Sequence, residues 1–175
     1  MDCAFAIQGN DYVIIASDRS VARSIIKLQD SDDKLTILSN NQILAATGEV
    51  SDRKSFSKLV LGELEYYYYR YNNRLDTDEV ANFTRTIVAE NLRKSPYQAN
   101  CLVAGFDKDG PKLYWMDYLG SSSRVTKAAH GYGGNFLYGI MDNYYRQVRD
   151  LSLELLYFIN FPLLGHEFGT WTRLR

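Results

Sequence analysis

The sequence predicts an α+β fold in which sheets built from antiparallel hairpins pack against helices. Strand-like runs come first, two helical segments follow, and strands return before another helical segment. This order differs from the strict strand–helix alternation of a parallel sheet. Of the 175 residues, 46% are hydrophobic and 23% are charged, a balance typical of a globular domain. We therefore expect a single domain over residues 1–175.

Four strands are expected in the first part of the chain. They cover four largely apolar runs: Cys3–Gln8, Tyr12–Ser17, Lys34–Leu38 and Gln42–Thr47. Short segments of Gly, Asn, Asp and Ser separate the members of each pair, as in β-hairpins. The second run is almost continuously apolar, which predicts a strand buried on both faces.

Two helices are expected next. Apolar residues recur at helical spacing from Phe56 to Tyr71 and again from Val80 to Leu92. Asp76, with Glu79 three residues later, resembles a capping box at the start of the second helix. The tyrosines at 66–69 cover more than one helix face, so some rings either meet a partner or spread over the protein's own surface.

The second half returns to strands and closes with a helical pattern. The expected strands are Ala99–Phe106, Lys112–Leu119 and Ser123–Ala129, and the expected helix is Phe136–Tyr145. The glycines of the segment 130–134 lack the spacing of a phosphate-binding loop, so a tight strand-to-helix turn explains them better. Leu151–Leu164 is too short and too interrupted to span a membrane, and a substitute helix is one interpretation of it.

Bulk charge and residue usage exclude several functional classes. A net charge of −1 gives no reason to expect a nucleic-acid or membrane partner. Two histidines and two cysteines are scattered without metal-ligand spacing, so neither a metal nor a cofactor is expected. The first residues lack the basic and apolar regions of a signal peptide, and we expect a cytoplasmic and nuclear protein.

Three groups at predicted strand ends carry possible chemistry. Asp18 ends the second strand, Lys34 opens the third, and Gly48 follows the fourth. A carboxylate, an ammonium group and a backbone N–H of this kind suit acyl transfer around an N-terminal nucleophile. Asp18 and Lys34 suit a structural ion pair equally well, and composition does not choose between the two.

Several segments, in order, resemble beta subunits of the proteasome core particle. They are Val-Ile-Ile-Ala-Ser-Asp-Arg (13–19), the strand that opens at Lys34, Leu-Ala-Ala-Thr-Gly-Glu (44–49) and Tyr-Gly-Ile-Met-Asp-Asn-Tyr-Tyr (138–145). Others, such as Ala-Phe-Ala-Ile-Gln-Gly (4–9) and Ala-Ala-His-Gly-Tyr-Gly (128–133), are typical of the non-catalytic type-2 member at the fourth ring position. The likeness is expected to cover residues 3–145, with residues 146–175 as a divergent tail.

The resemblance implies a fold and a set of site positions. The fold is the four-layer αββα sandwich of the N-terminal nucleophile hydrolases, incomplete at its C-terminal end if the tail lacks the closing elements. Active members attack the peptide bond with an N-terminal threonine, which Asp18, Lys34 and Gly48 would support. The same register puts Asp2 in the place of the threonine and Tyr132 in that of an assisting serine. These positions would then be vestigial.

The resemblance therefore implies a structural subunit and not an enzyme. Such a subunit would support ATP- and ubiquitin-dependent protein degradation through ring assembly, touching neighbouring beta subunits, the alpha ring and the opposite beta ring. One alternative is an independent hydrolase whose nucleophile is Cys3, exposed by processing, although a thiol in a strand core is a poor nucleophile. Another is a truncated isoform that never assembles.

Overall fold

The computed structural model describes residues 2–23, 26–144 and 168–174. The strands in these ranges are β1 (Cys3–Gln8), β2 (Val13–Asp18), β3 (Val21–Arg23), β4 (Ile26–Gln29), β5 (Leu35–Ser39), β6 (Gln42–Gly48), β7 (Ala99–Asp107), β8 (Gly110–Met116), β9 (Ser122–Arg124), β10 (Lys127–Gly131) and β11 (Phe168–Leu174). The helices are α1 (Val50–Tyr71), α2 (Thr77–Asn91) and α3 (Tyr132–Tyr144). The α+β class is confirmed.

The strands form two main sheets in which every pairing is antiparallel. One sheet has the order β10-β1-β2-β11, and the other has the order β5-β6-β7-β8-β9. A separate two-stranded ribbon joins β3 to β4. Hairpins therefore build most of the five-stranded sheet, whereas in the four-stranded sheet only β1 and β2 form a hairpin and the outer strands come from the second half of the chain.

The two sheets share a buried core, and alternate residues of each strand point into it. Ala4 and Ala6 of β1 meet Ile43 of β6 and Leu102 of β7 between the sheets. Truncating a fully buried residue such as Leu102 to alanine removes about 2–5 kcal/mol of folding free energy.

The opposite face of each sheet packs on helices. Leu44 and Ala46 point outward from β6 into a cluster with Phe56 of α1 and Val80 of α2. Phe5 and Ile7 point outward from β1 and pack with Leu137 and Met141 of α3 in a third cluster. Side chains alternate between the two faces of each sheet, so that one face packs against the other sheet and the opposite face packs against helices.

The most apolar strand is buried throughout, as predicted. All six residues of Val13–Asp18 are buried, and β1 and β11 flank the strand on its two sides. The capping box at the start of α2 is also confirmed, with the Asp76 N–H donating to Glu79 Oε2 at 2.9 Å. The first helix begins earlier than its apolar pattern from Phe56 indicated. It starts at Val50, and the Glu49 side chain caps it by accepting from the Asp52 N–H.

The expectation of one strand over Ser123–Ala129 is wrong, because the chain crosses between sheets there. The Val125 N–H donates to Leu113 O of the five-stranded sheet, whereas Thr126 O accepts from the Gln8 N–H of the other. The segment is therefore divided into β9 and β10. The preceding strand also ends earlier than expected, at Met116, because a tight turn closed by Gly120 N–H and Asp117 O follows it.

Three strands were not expected from the sequence: β3, β4 and β11. The last of these lies in the tail that was expected to diverge, and it pairs with β2 along Val13–Asp18. The predicted turn at residues 130–134 is tighter than expected, since α3 begins at Tyr132 directly after Gly131. The proposed helix over Leu151–Leu164 lies outside the described residues. None of the helices in residues 2–23, 26–144 and 168–174 is long and apolar enough to cross a membrane.

Candidate functional site

The fold brings four sequence-predicted residues to one place. Asp2 precedes β1, Asp18 ends β2, Lys34 precedes β5 and Gly48 ends β6. Pairing of β1 with β2 aligns the first two, and packing of the two sheets carries the other two against them. The four residues, which come from four separate sequence segments, thus form one cluster.

Lys34 lies at the centre of the cluster and uses all three of its donors. Its Nζ contacts Asp2 Oδ1 at 2.9 Å, Asp18 Oδ1 at 2.6 Å and the Ser20 carbonyl oxygen at 2.9 Å. Its side chain is fully buried. A buried ammonium group is tolerated only when it is paired in this way, so removing either carboxylate leaves part of its charge uncompensated.

Asp18 is held as a carboxylate by four donors. Burial alone would raise the pKa of Asp18, but hydrogen bonds from Lys34, from Ser20 and from the Cys3 N–H outweigh it and hold the pKa below its ordinary value. The shortest of the bonds besides that to Lys34 comes from Ser20 Oγ at 2.7 Å, and the Cys3 N–H donates at 2.8 Å. Asp18 therefore fastens the start of β1 to the end of β2.

Asp2 bridges the ammonium group and a backbone N–H. Its Oδ1 binds Lys34 Nζ at 2.9 Å, and its Oδ2 accepts from the Gly48 N–H at 3.1 Å. Arg53 Nε lies 3.9 Å from the same Oδ2. The Asp2 side chain is 13% exposed, so this carboxylate fills the point on which the three cationic or donating groups converge.

Two glycines make room for this arrangement. Gly48 has φ +131°, and a Cβ there would lie 2.2 Å from the backbone oxygen of Gln98. Gly131 has φ +86°, and a Cβ there would lie 1.8 Å from the backbone oxygen of Asp2. Only glycine combines this backbone conformation with such close approach, so the two positions fix where the Asp2 main chain and the Gly48 N–H can lie.

Comparison with known proteins assigns the chain to a family. The family model described as "Proteasome subunit" matches residues 2–157. The chain belongs to the proteasome subunit family. A relative from Arabidopsis thaliana, "Proteasome subunit beta type-2-B", is 40% identical over 155 residues, which cover 88% of this chain and 77% of the relative.

Relatives from two other organisms agree. "Proteasome subunit beta type-2" of Dictyostelium discoideum is 36% identical over 155 residues, covering 86% of this chain and 76% of the relative. "Proteasome subunit beta type-4" of Saccharomyces cerevisiae is 36% identical over 157 residues, covering 88% of this chain and 78% of the relative. The resemblance stated from the sequence motifs is confirmed.

The family likeness extends further along the chain than expected. The family match reaches residue 157, although the likeness was expected to end at Tyr145. That boundary rested on short motifs, and the family likeness continues past the last of them. The proposed tail of residues 146–175 therefore begins within the matched region, and its far end contributes β11 to a sheet.

A cleft opens next to Asp2 in this proteasome-family chain. It has a volume of about 820 Å³, and its walls include Val21, Leu28, Val50 and Tyr132. Tyr132, predicted to replace an assisting serine, is 70% exposed at this wall. The cleft is thus lined by both apolar and polar side chains, with the Asp2 carboxylate among them.

Sequence reasoning missed a second set of charges beside Asp2. Arg53 Nη2 and Lys54 Nζ both bind Asp32, the latter at 2.6 Å. Burial alone would raise the pKa of Asp32, but hydrogen bonds from Lys54 and Arg53 outweigh it and lower the pKa. No sequence pattern predicts this contact, because Asp32 lies in a loop and its partners lie on α1 with no recognisable spacing between them.

Neither cysteine is a competent nucleophile. Burial, and then the nearby Asp18 carboxylate, raise the pKa of the Cys3 thiol to about 11. Burial raises the pKa of Cys101 to about 12, and its contact with His130 is through its backbone oxygen, which lies 3.2 Å from His130 Nε2. Both thiols are therefore protonated at neutral pH. Within the described part of the chain, no group of His, Cys, Asp and Glu has the arrangement of a metal site.

Proposed function

We propose that this chain is a structural, non-catalytic beta subunit of the proteasome core, which supports intracellular protein degradation by its place in the ring. The observation that carries the proposal is the position of the Asp2 carboxylate. It occupies the point where the Lys34 ammonium group and the Gly48 N–H converge, at 2.9 and 3.1 Å from its two oxygens. An N-terminal nucleophile would have to lie at this point.

The chemistry of the site supports this interpretation. A carboxylate whose two oxygens accept bonds from an ammonium group and an amide has no proton to lose and little nucleophilic strength. Lys34 carries three hydrogen bonds and no free lone pair, so it cannot serve as a base. The neighbouring Cys3 thiol is protonated in the unprocessed chain, so the alternative of a cysteine hydrolase requires removal of Met1 and Asp2.

The proposal includes the details of fold and site that the resemblance implies. Asp2, Asp18, Lys34 and Gly48 would be vestiges of the catalytic positions of active relatives. The four-layer arrangement of the N-terminal nucleophile hydrolases is supported by three separate cores: one between the sheets, one under α1 and α2, and one under α3. In the same view, residues 1–175 form one domain.

The expected partners are the neighbouring beta subunits, the alpha ring and the opposite beta ring. Relatives whose names call them proteasome subunits support this expectation. Exposed rings on the last turns of α1 suit such contacts, since Tyr66, Tyr69 and Tyr71 are 59%, 82% and 56% exposed. Residence in the cytoplasm and nucleus, and service in ATP- and ubiquitin-dependent degradation, follow from this role.

Native mass spectrometry of the tagged chain, purified from its own cells, tests the proposal. The expected result is a complex many times heavier than the 20.1 kDa chain, in which the chain keeps Asp2 as its second residue. Recovery as a free monomer would support the non-assembling isoform instead. Recovery with Cys3 as the first residue would support the cysteine hydrolase.

A further inference from the structure

The surroundings of Asp2 have the composition of an anion site. Three donors face its carboxylate: Lys34 Nζ, the Gly48 N–H, and Arg53 Nε at 3.9 Å. Gly48 precedes the N-cap residue of α1, and the partial positive charge at the start of this helix also favours an anion at this point. Two of these donors flank the start of α1 and the third, Lys34, precedes β5, so the cluster is fixed by the fold and not by one loop.

Arg53 supplies the independent sign that the site is built for a ligand. Its residue is 2% exposed, and its Nε has no hydrogen-bond partner. Its Nη2 is held by Asp32, which fixes the direction of the guanidinium plane toward Asp2. A buried, charged N–H without a hydrogen bond is rare, and here it points at an oxygen slightly too distant to satisfy it.

The buried charges of this network also favour an anion at this position. Its buried cations are Lys34 and Arg53, and its other buried carboxylates are Asp18 and Asp32. Asp32 is shared between Arg53 and the half-exposed Lys54. Removal of the Asp2 carboxylate would therefore leave Lys34 and Arg53 less fully compensated, which favours binding of a small anion.

We propose that Lys34, the Gly48 N–H and Arg53 form a binding site for a single carboxylate group, and that Asp2 is its built-in ligand. A small monocarboxylate enters from the cleft and takes the same position when the Asp2 side chain is removed. This inference rests on the proposed function, because a site whose donors are occupied by the chain itself is closed to a substrate carbonyl. Asp2 is thus a positioning residue that holds the start of β1 and occupies the hydrogen-bond donors of the site.

Hydrogen exchange at the Gly48 amide tests the inference, because that N–H donates directly to Asp2. The variant Asp2→Ala is made in the full chain behind a retained N-terminal tag, so that residue 2 carries no free amine. We expect the Gly48 amide to exchange about tenfold faster than in the unsubstituted chain, as for loss of one hydrogen bond to a charged group. Acetate should reverse most of this increase.

Two probes and one variant control for shape and ionic strength. Acetamide has the shape of acetate without its charge, and sodium chloride supplies the same ionic strength, so neither should restore protection at Gly48. Asp2→Asn fills the same volume without charge, so acetate should have no effect on it. The Cys3 amide donates to Asp18 and not to Asp2, so its protection should stay unchanged and report that β1 remains folded.

The inference is overturned if acetate leaves Gly48 exchange unchanged in Asp2→Ala, or if acetamide or chloride protects equally well. Asp2→Gly is the second variant if Asp2→Ala loses protection at Cys3 as well. The two proposals fail separately. Absence from a large complex contradicts the structural role without touching the acetate effect, whereas a missing acetate effect leaves assembly as it was.

Discussion

Two buried lysines in this molecule each lie between two aspartates, and the difference between them is instructive. Lys34 binds Asp2 and Asp18 at 2.9 and 2.6 Å, and Lys112 binds Asp78 and Asp107 at 2.9 and 3.0 Å. Judged by residue types and distances alone, the two networks are nearly the same. Their surroundings assign them different roles.

The Lys112 network is closed by the helix that it anchors. Asp107 accepts from both the backbone N–H and the hydroxyl of Thr77, the first residue of α2, and Tyr114 donates to Asp78 at 2.8 Å. The hydrogen bond to Asp78, together with that to Asp107, raises the pKa of Lys112. Burial alone would lower this pKa, but the two hydrogen bonds outweigh it. The ammonium group of Lys112 thus contacts two carboxylates, and neither it nor its two partners lines the cleft beside Asp2.

The Lys34 network instead ends at a cleft and includes a buried donor without a hydrogen bond, Arg53 Nε. A purely structural ion pair does not need a neighbouring glycine held at a positive φ, or a cleft beside it. The surroundings of Lys34, and not its ion pairs, therefore distinguish the two networks and support the proposal of a vestigial catalytic site there.

The largest difference is expected when each lysine is replaced by methionine. Lys34→Met leaves Asp18 buried without its main partner and should lower the free energy of unfolding by about 3–5 kcal/mol. Lys112→Met should have a smaller effect, because the Asp78 side chain is 42% exposed to water and buried Asp107 still accepts from the Thr77 N–H and hydroxyl. Urea unfolding of the two variants measures both values, and equal losses would contradict the distinction.

A second test concerns the glycine that only the Lys34 network requires. Gly48→Ala places a Cβ against the Gln98 backbone at a positive φ, so unfolding should become easier by about 1–3 kcal/mol. Gly62→Ala is the matched control. A Cβ there meets nothing within 4 Å in the middle of α1, so it should stabilise the chain by about 0.5–1 kcal/mol. Thermal unfolding of both variants would show shifts of opposite sign.

Acid should weaken the fold partly through Asp18. Its pKa in the folded state is below the ordinary value of 3.8, so the unfolded chain binds more protons as the pH falls through this range. The stability that Asp18 contributes is thus fully present above about pH 5 and is lost as the pH falls below 4 toward the folded-state pKa. Asp18→Asn should flatten this part of the stability profile, measured by urea unfolding from pH 7 to pH 3. An unchanged slope would contradict the assignment.

The smallest effect is expected from Asp78→Asn. This carboxylate is partly exposed, and the asparagine can still accept from Tyr114, so the loss should stay within about 1 kcal/mol. The substitution Asp18→Asn, at a buried position, should cause a clearly larger loss of folding free energy. Denaturant midpoints compare the two, and a larger loss at Asp78 would reverse the order of importance proposed for the networks.

Much of the site could be predicted, because its members terminate strands with strong local patterns. Asp18 and Gly48 each follow an apolar run whose burial was evident, and Lys34 opens another. Their order along the chain, together with the family resemblance, placed Asp2 in register with them. The structure brings all four together as that register requires.

The remainder could not be predicted because it depends on contacts between distant segments. The pairing of Arg53 with Asp32 joins a helix to a loop, and neither residue carries a local signature. The division of Ser123–Ala129 between two sheets follows from which strand each half meets, since its own pattern is continuous. The strand β11 likewise forms only because β2, about 150 residues earlier, offers an unpaired side.

Labelling of the native complex with an electrophilic peptide tests the central claim most directly. The reagent is one that forms a covalent bond with N-terminal hydroxyl, thiol or amine nucleophiles, and the intact mass of each subunit is measured afterwards. With Asp2 filling the site and Cys3 protonated, this chain should show no mass increase while subunits that carry a nucleophile become labelled. An adduct on this chain, mapped to residue 2 or 3, would contradict the account and establish a catalytic subunit.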